Sequence, residues 1–549
     1  MNRKRMRFGL AIAAVAATAA FLVAGSVAGP DVGFSNVTSA NAKAPGSDPP
    51  NMLSPELQEI AWAQGSTPLE NGISGAVKAY GYDDNGPFVP VVGAASGGNL
   101  TLQGGAQLEA QKTEPDKNTY LVLQGQKGAD PGYDYGTHFL FQGHEAGSPG
   151  YITRINLDAD GAHRVTLLAT KDVNGVNLPT IDGSTWDPWA QRLLFTAELG
   201  SNGGVWQSTL DGKVVNLQRF LGRGGFEAIQ NDDQGNLYMV EDAGGSTFPG
   251  TTARRPNSFV FRFIPNDVTD LTKGGKIQAL QVLRNGQPIT FADGGTGVNP
   301  QAYLDLHTYG TTLKTKWITL TTTSPSTAAD PDDNALAKSL NATPFKRPEN
   351  GLFRPGSHFG EFFFDETGDT NATTPAAATG GFGSLFKLTQ SPSSNDGTIQ
   401  LFFLGDAEHA GFDNCAFFSD TQIAFVEDRG DTLHGQTALD SGWLFDTTAD
   451  YSKSSNKPIR FLAQGRDPSA TLDSGIGAVY SAAFGKSFFN DQDNEITGIH
   501  VSDGDPTKNG ILGAKSPKPF RGEAQWRAFY TQQHGDNVTY ELIRADANN

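Results

Sequence analysis

Cysteine is almost missing from this chain: Cys415 is the single one in 549 residues. That excludes an intrachain disulfide, a cysteine-based zinc cluster and thiol-pair chemistry. Standing between Asn414 and Ala416 in an apolar run, Cys415 reads as a small core residue. A surplus of positive charge is missing too. The formal net charge of −18 disfavours nucleic acid or an anionic membrane as partner, and a phosphate-binding protein this acidic needs cations at its site. No Gly-x-Ser-x-Gly elbow occurs, GGSTFPG (244–250) lacks it, and no Ser-His-Asp set can be assembled. Sustained helical periodicity is scarce, with short helices expected near 55–63 and 333–340 alone. Beyond the N-terminus no segment is long and apolar enough to span a bilayer.

The N-terminus itself reads as an export signal. MNRKRMR is basic, the stretch Phe8 to Gly25 is apolar and uncharged, and small residues near Gly29 or at Ala40-Asn41-Ala42 suit cleavage. Arg3-Lys4-Arg5 holds no adjacent arginine pair, so a twin-arginine signal is at best degenerate. The expected location is outside the cytoplasm, secreted or in the periplasm and cell envelope, touching a membrane through this segment alone if it is uncleaved. Residues 1–42 are taken as signal and lead-in, 43–75 as an extended segment that is unstructured over 43–56, and 76–549 as the folded domain.

What is abundant is glycine, at 66 residues, and phenylalanine, at 35. Short apolar runs broken by Gly, Asp, Asn and Pro follow one another: YLVLQGQ (120–126), YITRINLD (151–158), RLLFTAEL (192–199), NLYMVED (236–242), FVFRFIP (259–265), KWITLTTT (316–323), GEFFFDET (360–367), SLFKLT (384–389), QIAFVED (422–428) and GWLFD (442–446). These read as strands. The stretches 321–334 and 371–383 read as loop insertions, and TGIHVSDGD (497–505) as a late strand and turn that closes the ring.

One pattern repeats. GFEAIQNDDQGNLYMVEDAGG (225–245) and GFDNCAFFSDTQIAFVEDRGD (411–431) align without a gap at an offset of 186. Glu198 and Glu241 end similar strands forty-three residues apart, close to the length of a four-stranded propeller blade. The expected fold is therefore all-β, a β-propeller of about six blades with loop insertions, the two copies about four blades apart. A β-sandwich array is the alternative, but it gives no reason for acids to recur at matching phases. In a propeller, equivalent positions converge on the axis, so repeated acids become a ring that needs cations or protons. Hard oxygen ligands suit calcium or magnesium, and iron where nitrogen, thiolate or oxo ligands help. The other reading of Val-Glu-Asp is solvated acids capping strand ends. His144, His409 and His434 read as core, second-layer or loop residues, and YDDNG (82–86), NDDQG (231–235) and DQDNE (491–495) as turns rather than EF-hand loops.

The motifs GHE (143–145), FTAE (195–198), GGFEA…YMVED (224–242), KRPEN (346–350) and FDNCAF…FVED (412–428) resemble, in order, those of secreted alkaline phosphatases of the PhoX type. The resemblance spans residues 140–430 and implies a β-propeller that hydrolyses phosphate monoesters with calcium and iron at its axis. Glu145 matches the family's early glutamate ligand. Glu227 stands where the family has a metal-binding glutamate in a His-Glu-Gly-like context, here Phe226-Glu227-Ala228. Glu198 is the acid of FTAE. Arg347 and Glu349 fall in an Arg-Pro-Glu motif whose arginine, the resemblance implies, contacts phosphate and whose glutamate binds metal; the other reading of Arg347 is an ion pair with Glu349 on a loop rim held stiff by Pro348. Asp413, before Asn414, matches a late acid ligand. One departure stands out: the family's iron-binding cysteine, in Thr-Cys-Glu-Glu, is replaced in Thr196-Ala197-Glu198-Leu199, which leaves iron without its thiolate. The implied cofactor is calcium, several ions, with iron in question, and the implied partner a phosphorylated small molecule, taken by a monomer. A catalytically silent calcium-binding propeller serving as an envelope scaffold, and a phytase-like phosphohydrolase, remain open alternatives.

Overall fold

The computed structural model describes residues 32–42, 49–65, 67–74, 76–81, 91–92, 100–101, 106–108, 113–145, 149–294, 300–369, 372, 375–391, 393–429, 438–465, 495–520, 525–533 and 537–545. The signal stretch through residue 31, YDDNG, His434 and residues 491–494 of DQDNE lie outside them. Among the described residues no helix is long and apolar enough to cross a membrane.

The strands form six antiparallel blades. The first comprises Pro115–Val122, His138–His144, Ile152–Asn156 and Val165–Ala169; the second Ser184–Asp187, Arg192–Ala197, Gly204–Ser208 and Val214–Asn216. The third runs through Phe226–Asn231, Leu237–Glu241, Val260–Pro265 and Gly275–Arg284, and the fourth through Gly351–Phe353, Glu361–Glu366, Ser384–Gln390 and Asp396–Leu404. The fifth holds Phe412–Phe417, Gln422–Glu427, Ser441–Asp446 and Ile459–Ala463, edged by Met52–Leu53. The sixth joins Glu495–Ser502, Arg527–Gln533 and Val538–Arg544 to the N-terminal strand Leu57–Ala63. The first strands of successive blades contact one another in a closed cycle, so they surround the axis.

Each blade-to-blade interface has its own apolar cluster. Phe226, Met239 and Phe261 face Leu194 and Val205 of the second blade, while Tyr238 and Val240 of the same third blade face Phe353, Phe362 and Phe386 of the fourth. Adjacent residues of Leu237–Glu241 point to opposite faces, and both faces are covered. This is why the strands read as apolar runs rather than strict alternations. Their turns follow from side-chain chemistry: Asp232 Oδ1 accepts the amides of Gln234 and Asn236, both at 2.9 Å, and Gly235 takes φ +81°. NDDQG is thus a turn.

Three expectations change. The two repeat copies are two blades apart, not four: the outer strand Leu313–Thr322 pairs with both Gly275–Arg284 and Asp396–Leu404 and fuses the third and fourth blades into one ten-stranded sheet. That insertion, with the helices Gln301–Leu306 and Asp333–Ser339, lengthens the offset. The helix expected near 55–63 is instead the strand Leu57–Ala63, paired with Val538–Arg544. This pairing closes the ring, whereas 497–505 lies mostly in the innermost strand of its blade. Residues 32–42 also pack on the propeller: Phe34 joins the cluster between the fifth and sixth blades, and Val37 N donates to Arg460 O at 2.8 Å. Cleavage near Gly29 preserves these contacts and cleavage after Ala42 removes them.

Candidate metal centre

The six innermost strands all open on an acid at the same end of the channel. These are Asp116, Asp182, Glu227, Glu349, Asp413 and Glu495, with Asp182 and Glu349 two residues ahead of their strands. In the first, third and fifth blades the acid sits in a β-bulge. Asp116-Lys117 falls between the pairs Pro115↔His144 and Asn118↔Gln142, Glu227-Ala228 between Phe226↔Glu241 and Ile229↔Met239, and Asp413-Asn414 between Phe412↔Glu427 and Cys415↔Phe425. An extra residue against one partner re-aims its side chain, here toward the axis. The second strand contributes the residue just past its end: Glu145, Glu198, Asp242 and Asp428.

Three triads result, each with ligand oxygens within 4.8 Å of one another: Asp116, Glu145 and Asp182; Asp182, Glu198 and Glu227; Glu227, Asp242 and Glu349. Asp182 and Glu227 are shared, so the triads merge into an arc of seven carboxylates. Asp413, Asp428 and Glu495 continue it electrostatically. Burial first, then Asp428, Asp413, Glu145 and Asp116, push the pKa of Glu495 well above the carboxylate range. Burial followed by Asp116 and Asp428 does the same to Asp413. Glu198 is pushed up to about 8, by burial and then chiefly by Asp242. Glu145, Asp182, Glu227 and Glu349 move in the same direction. Buried carboxylates that disfavour one another's charge need cations or protons to compensate them, and these groups could hold metal ions.

The donor set answers which cations fit. The triads contain carboxylates alone, without histidine or cysteine, and Asp182 Oδ2 and Asp413 Oδ2 are buried with no hydrogen-bond partner. Oxygen donors in irregular array fit calcium, and they do not supply the nitrogen or sulfur that would favour iron. Ala197, at the position of the family cysteine, is fully buried. Cys415 is buried with its thiol pushed up by burial, and its Sγ lies 3.8 Å from Asn350 Oδ1, among core phenylalanines.

Among the described residues Arg347 touches this ring directly, and Lys117 reaches it through two asparagines. Arg347 has a left-handed backbone, φ 58°, immediately before Pro348. Its Nε donates to Asp242 Oδ2, and its Nη2 stands 3.6 Å from Glu349 Oε1. Burial opposes its charge, but Asp242, Glu349, Glu198 and Asp428 raise its pKa above the usual guanidinium range. Its side chain retains 19% exposure, so part of the fork reaches open space. Lys117 lies on the floor of the ring. Its Nζ donates to Asn350 Oδ1 at 2.7 Å, Asn350 Nδ2 to Asn414 Oδ1 at 2.7 Å, and Asn414 Nδ2 to Asp413 Oδ1 at 2.9 Å.

Of the residues singled out in the sequence, Glu145, Glu198, Glu227 and Glu349 meet in the triads, and Asp413 flanks them. Asp116, Asp182 and Glu495 were missed because PDKN, TIDGS and DNEIT share no flanking residues with the repeat. The histidines lie apart: His144 is buried between Thr113 Oγ1 and Thr153 Oγ1 at 3.1 and 2.9 Å, and His409 Nδ1 pairs with Asp406 at 2.9 Å.

No protein-family model matches the chain, and no curated protein matches its sequence. Solved structures do. PhoX of Pseudomonas fluorescens, solved in complex with vanadate as a transition-state analogue, superposes with a TM-score of 0.53 at 11% identity, over 94% of this chain and 98% of that one. Weaker likenesses are a catalytically inactive virginiamycin B lyase from Staphylococcus aureus with quinupristin (TM-score 0.30, 11% identity, 81% of this chain and 97% of that one) and Sqt1 from Chaetomium thermophilum (TM-score 0.34, 10% identity, 80% and 83%). The first establishes a PhoX-like propeller fold for this chain.

Proposed function

We propose that the protein is an exported, calcium-dependent phosphohydrolase that cleaves phosphate monoesters of small molecules at the axial carboxylate arc, working as a monomer. One observation carries this reading: a partly exposed guanidinium, Arg347, is anchored by Asp242 and Glu349 at the end of an arc of seven clustered carboxylates. Seven carboxylates alone would repel a phosphate, and an arginine alone would only bind one. Together they provide cation sites and an oriented anion contact in the same place. Calcium bound in the arc would supply charge against the phosphoryl oxygens and an activated water.

The chain's own groups then have distinct tasks. Asp242 fixes Arg347 at Nε, leaving the terminal nitrogens to grip two phosphate oxygens in the planar geometry that lysine lacks. Thr367 Oγ1 donates to Glu349 Oε1 at 2.9 Å and orients that carboxylate toward the triad. The net charge of −18 turns polyanions away from the face and favours small esters. The basic and apolar N-terminal stretch supports export.

Ala197 supports a second reading, a calcium-loaded propeller without turnover that acts as an envelope scaffold. Metal analysis of the pure protein, combined with p-nitrophenyl phosphate turnover with and without chelator, separates the two. Turnover lost to chelator and restored by calcium is expected. Tightly bound calcium with no turnover on several phosphoesters, phytate included, leaves the scaffold reading. Arg347→Lys is expected to weaken inorganic phosphate binding about 10-fold or more while the melting temperature stays put; unchanged phosphate affinity would remove Arg347 from the site.

A further inference from the structure

The alternation that sends Asp242 and Asp428 to the axis sends their neighbours, Glu241 and Glu427, into the packing between blades. Both are completely buried, yet they are treated differently. Glu427 is fully engaged. Its Oε1 accepts Ala410 N at 3.1 Å and the Trp443 indole at 2.8 Å, and its Oε2 accepts Ser441 N at 2.8 Å with Arg429 Nε 3.5 Å away. Glu241 Oε2 accepts the equivalent strand amide, Phe259 N, at 3.1 Å and Asn334 Nδ2 at 2.9 Å. Its Oε1 has no partner. By strand register and spacing, Phe261 and Ala243 stand where the other copy has Trp443 and Arg429.

A second carboxylate adds to the deficit. Asp333, the first residue of the helix Asp333–Ser339, is fully buried, and neither of its oxygens has a partner. It lies over Gly222, where an added Cβ would come within 2.2 Å of either oxygen, and Glu241 Oε1 lies 3.2 Å from the Cβ position of Gly224. The nearby Arg223 gives Nη1 to Ser201 O, and its Nε is unpartnered. Burial, then Glu241, raises the Asp333 pKa well above the carboxylate range. Buried carboxylates persist when a cation or a proton compensates them. Three unpartnered oxygens of two carboxylates, in a copy that has Phe261 for the indole donor Trp443 and Ala243 for the arginine beside the other glutamate, describe a cation slot.

We propose that Asp333 and Glu241 bind a divalent cation of the calcium class, off the axis, with backbone carbonyls and water completing its shell. This ion staples the insertion between the third and fourth blades to the segment leading into Glu227. Two backbone bonds already join these segments, Arg223 N to Pro331 O at 2.8 Å and Asp333 N to Arg223 O at 3.0 Å. The site is separate from the axial arc and independent of any turnover there.

The test is calcium stoichiometry of the full chain, by elemental analysis after equilibrium dialysis against calcium. Asp333→Asn is expected to lose one calcium, and Asp182→Asn, in the axial arc, to keep the off-axis one. In chelator, Asp333→Asn should melt no lower than the wild type, because an uncompensated buried charge is gone; in calcium the wild type should melt higher. Ala243→Arg, which supplies the guanidinium of the other copy, should also lose one calcium and serves if Asp333→Asn fails to fold. Equal stoichiometry in the wild type and the folded variant overturns the proposal. So does an infrared band of a protonated carboxyl that persists in saturating calcium and vanishes in Asp333→Asn, since a proton then fills the slot.

Discussion

The third blade carries Glu227, Glu241 and Asp242, and the fifth carries Asp413, Glu427 and Asp428 at the same registers. Their backbones agree down to the bulge, so all four axial acids reach the channel. The copies part in what surrounds them. Glu227 belongs to two triads, whereas the shorter Asp413 belongs to none and is held by Asn414. Glu427 has an arginine and a tryptophan for company, and Glu241 has another carboxylate. Register decides where a side chain points; neighbouring blades and insertions decide its chemistry.

The largest expected effect is collective and involves both copies. A carboxylate whose folded value lies above its unfolded one holds more protons in the fold, so stability falls as pH rises between the two. For Glu198 that window runs from the ordinary 4.5 to about 8, and Glu145, Asp182, Glu227, Glu349, Asp413 and Glu495 are shifted in the same direction. Metal-free protein should therefore lose stability in urea melts from about pH 4.5 to about pH 8, and saturating calcium should flatten the curve. Glu227→Gln should flatten it more than Asp413→Asn; equal effects would mean that the ring is symmetric.

Next comes Arg429→Ala, which leaves Glu427 buried beside a missing charge and should cost about 3–5 kcal/mol by urea denaturation. The same assay on Arg429→Ala combined with Glu427→Gln should recover part of that loss. Turnover separates the copies further. Glu227→Gln should lower kcat/KM on p-nitrophenyl phosphate by about 100-fold or more, since even outer-layer partners of metal ligands are worth ~10–100-fold. Asp413→Asn should cost about 10-fold. The smallest effect belongs to Cys415, whose counterpart in the other copy is the core residue Ile229. Cys415→Ala should cost about 1 kcal/mol and leave the metal content unchanged.

Much of this was legible before folding. The ten apolar runs all became strands, because blade strands buried on both faces are written as compact apolar segments between Gly and Asp turns. Glu198 and Glu241 do lie at the ends of equivalent strands one blade apart, Glu198 just past its strand and Glu241 as the last residue of its own. The acid that continues the axial arc from Glu198, however, is Asp242 rather than Glu241, a one-residue phase that alternation makes decisive. The blade distance between the copies was misread, because an outer-edge insertion adds chain without adding a blade. Leu57–Ala63 reads equally as a short helix, and only its partner at the far end of the chain makes it a strand.

By itself the sequence determined the all-β character and the repeated acids, since both follow from local composition and spacing, while the lack of a thiolate at the axis came from the resemblance, through Ala197 in place of the family cysteine. The tertiary structure alone decided that Asp116, Asp182 and Glu495, from segments unlike the repeat, share the rim with the repeated acids, that Arg347 joins them through Asp242, and that Asn334, next to Asp333, bonds to Glu241. Those contacts join residues far apart in the chain, and a ring closed by strand pairing sets their distances.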